Sequence, residues 1–293
     1  MIAQATVSRS LIRDYVALTK PRIIVLLLVT AAGGMFLAAR GAPDLSIMLL
    51  VFGAGTLASG GANAINQALE RDIDGRMRRT LDRPVASGRI QYRQALLFGT
   101  SLNAISFMML STLVNPLSAV LTLSATLLYV FVYTKGLKRT TPQNIVIGGA
   151  AGAIPPMVGW AAVTGGLDLS ALYLFAIIFF WTPPHFWALA LLLKDEYARA
   201  RIPMLPVVVG VPETKKWITL YTVLVVALTL MFFGTGSVGW TYLASSLGLG
   251  IGFIYYAWRL MRQDGIGGAR ALFSYSILYL ALLFLAIRVD SSL

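Results

Sequence analysis

The sequence predicts an all-α, polytopic membrane protein: nine transmembrane helices bundled around a central cavity open to the cytoplasmic side. Three observations carry that expectation. The chain of 293 residues is 57% hydrophobic and only 12% charged, and several apolar runs reach the roughly 20 residues that cross a bilayer as helix. The polar stretches between the runs alternate between short and long. Almost all positive charge falls in the long ones, the pattern of cytoplasmic loops.

The predicted spans are 22–39, 45–69, 93–113, 117–134, 143–163, 170–193, 217–234, 238–259 and 270–288. Before the first, Met1–Tyr15 has no charged-then-apolar leader with a small-residue cleavage site. It reads as a short amphipathic segment on the membrane surface. On one side the loops are short (40–44, 114–116, 164–169, 235–237). The other side carries 70–92, 135–142, 194–216 and 260–269. With the N-terminus inside, only Arg40 and Arg288 of the 24 basic residues fall outside. An odd span count then puts the C-terminus on the opposite side. This topology explains the net charge of +12 without nucleic acid. There are no cysteines, which excludes disulfides, iron–sulfur clusters and thiolate zinc sites. No linker divides the chain, so residues 1–293 are expected to form a single domain.

The stretch Ala62 to Thr80 begins as a small, apolar membrane run and ends as the most charged segment of the chain. Asn66, Glu70 and Asp74 are spaced four apart, which on a helix puts three oxygen-bearing side chains on one face. Mg²⁺ takes oxygen ligands and keeps several waters, so one or two carboxylates plus phosphate oxygens suffice to hold it. A solvated helix end paired with local arginines would look similar. The extension of the row inward through Asn66 and Asn63, amides at membrane depth, argues for a site.

Arg76, Arg79, Arg83, Lys138 and Arg139 supply positive charge beside these acids. Arg forks and Lys point charges suit a diphosphate, whose charge localises as it leaves; positive-inside bias accounts for their number but not for their crowding. The motif Pro183-Pro184-His185-Phe186-Trp187 holds the one histidine of the chain. Two prolines are expected to break the helix there, which is tolerated where it lines a cavity. His185 is a candidate base, acid or axial metal ligand, or simply a packed imidazole. Asp195 or Glu196 is placed to complete the metal site from across the cavity, since span 6 with its acidic loop echoes span 2 with its own. Tyr129, Tyr133, Trp160, Phe179, Phe180, Trp181, Phe186 and Trp187 either face the cavity, where rings stabilise an allylic cation, or serve as interfacial anchors and packing. The runs Gly148–Ala153 and Gly53–Gly55 suit close helix packing and leave room for a lipid tail.

The pattern Asn66-x-x-x-Glu70-x-x-x-Asp74, followed by Met77-x-Arg79-Thr80 and Arg83-Pro84, resembles the first acidic motif of the UbiA-type membrane prenyltransferases. Glu in the middle resembles the protoheme farnesyltransferase branch. So do Leu18-Thr19-Lys20-Pro21-Arg22, Tyr133-Thr134-x-x-Leu137-Lys138-Arg139, Asn144–Gly149, Pro183–Ala190 and Ile202-Pro203-Met204-Leu205-Pro206. The wider superfamily's second Asp-x-x-x-Asp motif is replaced here by Lys194-Asp195-Glu196-Tyr197, with Arg199 four residues after Asp195.

The resemblance implies a helical bundle in a bacterial inner membrane. It further implies a Mg²⁺-dependent enzyme that transfers farnesyl from farnesyl diphosphate to a vinyl group of heme B, giving heme O. Asn66, Glu70, Asp74 and Asp195 would serve the metal. Arg76, Arg79, Lys138 and Arg139 would share the diphosphate charge. Arg22, Arg83 and His185 are further candidates for holding substrate, with propionates anchored by Arg22 or the 194–216 loop. Membrane lipid is the surrounding medium, and heme A synthase or terminal oxidase assembly factors are the implied partners. A prenyltransferase for aromatic quinone precursors and a non-catalytic heme-handling membrane protein are the competing readings.

Overall fold

The computed structural model describes residues 2–292, with side chains from residue 11 onward. The protein is a multi-span membrane bundle. Its helices are α1 (Ile2–Thr19), α2 (Pro21–Ala39), α3 (Leu45–Leu69), the single turn α4 (Arg71–Asp74), α5 (Tyr92–Leu113), α6 (Pro116–Leu127), α7 (Asn144–Ala153), α8 (Pro155–Thr164) and α9 (Leu169–Leu192). After these come α10 (Lys194–Arg199), α11 (Leu205–Val208), α12 (Gly210–Met231), α13 (Trp240–Arg262) and α14 (Ala269–Asp290). A π-helical stretch, Leu128–Leu137, prolongs α6. Among the described residues, eight segments are long and apolar enough to cross a membrane. The predicted span 238–259 corresponds to α13, which has the length but carries Thr241, Tyr242, Ser245 and Ser246 near its start and Arg259 and Arg262 in its last turn. The surface expected to meet lipid is apolar: Leu97, Met108, Ile251 and Trp240 are among the most exposed side chains. The amphipathic character expected for residues 1–10 lies outside the described side chains; the helix itself is present.

Two expectations are corrected. The double proline at 183–184 does not break its helix, because α9 runs unbroken through both. Thr182, Pro183, Pro184 and His185 are all buried, and packing on every side holds the helical path although two N–H donors are missing. The real interruption is at Ile154, where α7 gives way to α8 before Pro155-Pro156. Span 7 starts earlier than predicted, at Gly210 rather than 217. The charged pair Lys215-Lys216 lies inside the helix, and Lys215 Nζ donates to the Gln263 carbonyl at 2.6 Å.

Small residues set the helix spacing. Gly61 of α3 and Gly99 of α5 meet backbone to backbone: a Cβ on Gly61 would lie 2.5 Å from the Gly99 oxygen, and the reverse distance is 2.6 Å. Gly34 on α2 and Gly159 on α8 do the same against Pro156 and Ala31. Such close approach is how helices gain contact where lipid gives no hydrophobic drive. The result holds α2, α3, α6 and α7 to α9 around one hollow.

Candidate active site

Asn66, Glu70 and Asp74 are brought together as their spacing predicts. Helix α3 ends at Leu69 with Glu70 as its cap, yet the register carries on: Glu70 N donates to Asn66 O at 2.9 Å, and Asp74 N to Glu70 O at 2.8 Å. All three residues are at most 2% exposed. None faces lipid, and each has a partner. Asn66 Oδ1 accepts from Lys20 Nζ (3.1 Å) while its amide donates to Thr134 Oγ1 (3.0 Å). Both Glu70 oxygens accept from Lys138 Nζ at 2.6 Å. Both Asp74 oxygens accept from Arg83 Nη1, at 2.7 and 2.8 Å.

Three basic side chains therefore surround two buried carboxylates, an excess of positive charge whenever Lys20 is protonated, as an anion site requires. Lys20 was the residue sequence reasoning missed. It sits in the left-handed region (φ 53°) between α1 and α2, a conformation non-glycine residues seldom adopt and one that clusters at functional sites. Desolvation by burial pushes its ammonium down to about 7. The Arg83 and Lys138 charges push the same way, and those of Glu70 and Asp74 push against them. A lysine one residue outside an apolar run looks like an ordinary interfacial anchor; the one signal that includes it is the stretch Leu18-Thr19-Lys20-Pro21-Arg22.

Arg79 lies further out and donates to the Tyr197 hydroxyl at 3.4 Å. This contact joins the segment after α3 to the segment after α9. Arg139 forks onto Asp72 at 2.8 and 2.9 Å, a pair open to solvent on both sides, and holds the Asp72 carboxyl below its ordinary value. The side chains of Arg22, Arg76 and Asp195 are exposed and make no hydrogen bond or ion pair among the described residues. Of the two acids after α9 it is Glu196, not Asp195, that turns inward: its Oε2 is buried with no hydrogen-bond partner.

Among the described residues no three His, Asp or Glu side chains gather closely enough to cage a metal. A hard cation such as Mg²⁺ does not need such a cage. The site offers an all-oxygen set, two buried carboxylates and an amide, and leaves the remaining positions to water and phosphate. The residues present fit that ion.

Below this cluster lies a cavity of about 340 Å³, within the size range of small-molecule sites. Its wall reaches Asn63, one turn inside Asn66, and runs past Tyr129, Tyr133 and Thr182 to Trp181, His185 and Phe186. Gly148, Gly149 and Gly152 form part of the wall; a Cβ on Gly152 would meet nothing within 4 Å. Trp160, Phe179, Phe180 and Trp187 are not in the wall and serve packing instead, with Trp187 and Phe180 both against Tyr221. His185 is buried, stacked between Trp181 (4.4 Å) and Phe273 (4.7 Å). Its Nδ1 lies 2.7 Å from Ser276 Oγ.

Comparison with known proteins identifies the family. Residues 26–286 match the UbiA prenyltransferase family. The chain is 50% identical over 281 residues to a protoheme IX farnesyltransferase of Gloeobacter violaceus, covering 96% of this chain and 92% of that one. It is 50% identical to the protoheme IX farnesyltransferase of a Roseiflexus strain, with 96% of this chain but 53% of that one covered, so it spans about half the length of that relative. In architecture it is similar to a UbiA homolog from Archaeoglobus fulgidus bound to GPP and Mg²⁺, with a TM-score of 0.67 and 18% identity over 94% of this chain and 99% of that one; at that identity the likeness concerns the fold. A buried Asn–Glu–Asp row over an apolar hollow, on this fold and at this identity, has one consistent parentage: the chain belongs to the UbiA prenyltransferase family, within it to the protoheme IX farnesyltransferases.

Proposed function

We propose that this chain, residues 1–293 acting as one domain, transfers the farnesyl group of farnesyl diphosphate to a vinyl group of heme B, releasing diphosphate and giving heme O. One observation carries the reading. Asn66, Glu70 and Asp74 are buried in a row beneath Lys20, Lys138 and Arg83, at the head of an apolar cavity that holds the histidine.

Glu70, Asp74 and Asn66 would hold Mg²⁺, with Glu196, whose Oε2 is buried, rather than the exposed Asp195 as the candidate from the second loop. When bound, the ion would supply Lewis-acid neutralisation of the diphosphate oxygens. Lys138 and Arg83 would exchange their carboxylate partners, and Lys20 its Asn66 amide oxygen, for phosphate oxygens. Arg79 and Arg76 extend the positive rim. Together they stabilise the charge that localises on the leaving diphosphate when the allylic C–O bond breaks. The electron pair leaves with the diphosphate. Tyr129, Tyr133 and the small-residue wall keep water from the farnesyl cation, and the tyrosine faces stabilise it. The heme vinyl carbon attacks the cation, forming the new C–C bond. Water then adds at the carbon left cationic on the porphyrin side chain and loses a proton, which leaves a hydroxyethylfarnesyl group. Arg22, exposed at the start of α2, would receive a propionate.

The same reading takes α13 as a ninth span, places the N-terminus and the acidic cluster on the cytoplasmic side of a bacterial inner membrane, and puts the C-terminus opposite. Partners that consume the product, heme A synthase or terminal oxidase assembly factors, belong to it as well. The test is product analysis with the purified protein, farnesyl diphosphate and Mg²⁺, offering heme B and 4-hydroxybenzoate in parallel. Farnesylated heme as the sole product is expected. Transfer to the benzoate instead would replace this reading with that of a quinone-precursor prenyltransferase, and diphosphate-independent heme binding without transfer would replace it with a heme carrier.

A further inference from the structure

His185 and Ser276 are 91 residues apart and meet inside the bundle. Ser276 is fully buried. Its hydroxyl oxygen lies 2.7 Å from the Phe273 carbonyl oxygen, and a carbonyl only accepts. The single hydroxyl proton of serine is committed there, so Ser276 Oγ has lone pairs and no proton left for His185. Nδ1 at 2.7 Å must then be the donor. The hydrogen bond made by one ring nitrogen fixes what the other can do. Nε2 is left without the proton and holds a lone pair.

The surroundings point the same way. The two ring faces are covered by Trp181 and Phe273, at interplanar angles of 15° and 22°. The Nδ1 edge is tied to α14. Nε2 makes no hydrogen bond among the described residues, and His185 lines the cavity. The carbonyl of the same Ser276 accepts from Trp181 Nε1 at 2.9 Å. One residue of α14 thus fixes both members of the stacked pair on α9.

We infer that Ser276 is a positioning residue: it locks His185 in the Nδ1–H form and presents the Nε2 lone pair to the cavity as the axial ligand of a bound iron porphyrin. The iron part rests on the function proposed above; the tautomer part does not. In metal sites the partner of the far ring nitrogen commonly fixes ring orientation and raises ligand basicity, and its loss costs about 10- to 100-fold in metal affinity.

Two experiments test the two parts. Because the chain has one histidine, ¹⁵N-histidine labelling of the unliganded wild-type protein gives one imidazole to observe, and no variant is needed. Nδ1 protonated and Nε2 bare is expected; Nε2 protonated overturns the inference. The second is heme B titration followed by the Soret and visible bands, with wild type, Ser276→Ala and His185→Ala. Ser276→Ala removes only the hydroxyl and keeps the backbone carbonyl that holds Trp181. Wild type is expected to show a histidine-ligated spectrum. Ser276→Ala should bind about 10-fold or more weakly with a mixed spectrum. His185→Ala should lose the ligated spectrum and regain it with added imidazole, which can enter between Trp181 and Phe273. Unchanged spectra and affinity in Ser276→Ala overturn the positioning role, and an unchanged spectrum in His185→Ala overturns the iron ligation. Farnesyl transfer by wild type, measured alongside, separates failure of this inference from failure of the proposed function.

Discussion

Asp74 and Asp72 stand on the same helical turn, and each is gripped by one arginine at nearly equal distances: Arg83 at 2.7 and 2.8 Å, Arg139 at 2.8 and 2.9 Å. They differ in burial. The Asp74 side chain is 3% exposed and that of Arg83 23%, against 46% and 41% for Asp72 and Arg139. The exposed pair should contribute about 0–1 kcal/mol. Removing one member of a buried pair costs about 3–5 kcal/mol, because the other charge is stranded. Arg83 retains some access to water, and an asparagine oxygen still accepts, so Asp74→Asn should cost about 2–3 kcal/mol. The effects on chemistry should diverge further. Asp74→Asn removes a carboxylate from the proposed metal set and should lower transfer by about 100- to 1,000-fold. Asp72→Asn should leave it within about 2-fold, since the exposed pair it breaks is weak. The assay is farnesyl transfer to heme B in detergent micelles, at limiting Mg²⁺, with thermal unfolding of each variant measured in the same buffer. Near-normal transfer by Asp74→Asn under those conditions, or an equal loss in both variants, would refute the assignment of the buried row to metal and diphosphate.

Three further outcomes follow from the geometry. Gly152→Phe should fold, since a Cβ there meets nothing within 4 Å, and should discriminate against the farnesyl relative to the shorter geranyl donor by filling the cavity; Gly149→Ala, whose Cβ would lie 2.9 Å from Thr182, should destabilise instead, and thermal melts with competition between donors read both. Mg²⁺ alone should bind poorly to a cluster that already carries more cations than carboxylates, and farnesyl diphosphate should bind poorly after chelation, so calorimetry should show each strengthening the other; tight Mg²⁺ binding without diphosphate would contradict the charge count. Asp44 caps α3, accepting from Ser46 N at 2.8 Å and Ile47 N at 3.1 Å, and hydrogen bonds from Ser46 and Ile47 hold its carboxyl below the ordinary 3.8. Its contribution is therefore present above that ordinary value and lost as pH falls through the depressed one, so the melting temperature of Asp44→Ala should lack this acid-side decline.

The parts of this molecule that local pattern governs were legible from the chain alone. Span 45–69 coincides with α3 to the residue because hydropathy and helix length are properties of contiguous sequence. The burial of Asn66, Glu70 and Asp74 on one face follows from a four-residue period that the helix keeps even through its cap. What pattern did not reach is the choice of partner. Composition supplied a crowd of arginines and lysines, but nothing in their spacing says that Lys138 takes Glu70, that Arg83 takes Asp74, or that Arg139 is spent on Asp72. Lys20 and Asn66 are 46 residues apart and His185 and Ser276 are 91; each contact exists because the bundle packs side by side helices that are distant in sequence. The double prolines make the same point. Pro155-Pro156 interrupts a rod and Pro183-Pro184 does not, although the local penalty is the same in kind. The difference lies in the surroundings: the second pair is wrapped on all sides, and it stands next to the imidazole whose orientation the bundle holds fixed. A straight α9 is what lets Trp181 and His185, one turn apart, stack on each other and meet one serine of α14. In this fold the helix that sequence rules would break is the one that the site needs whole.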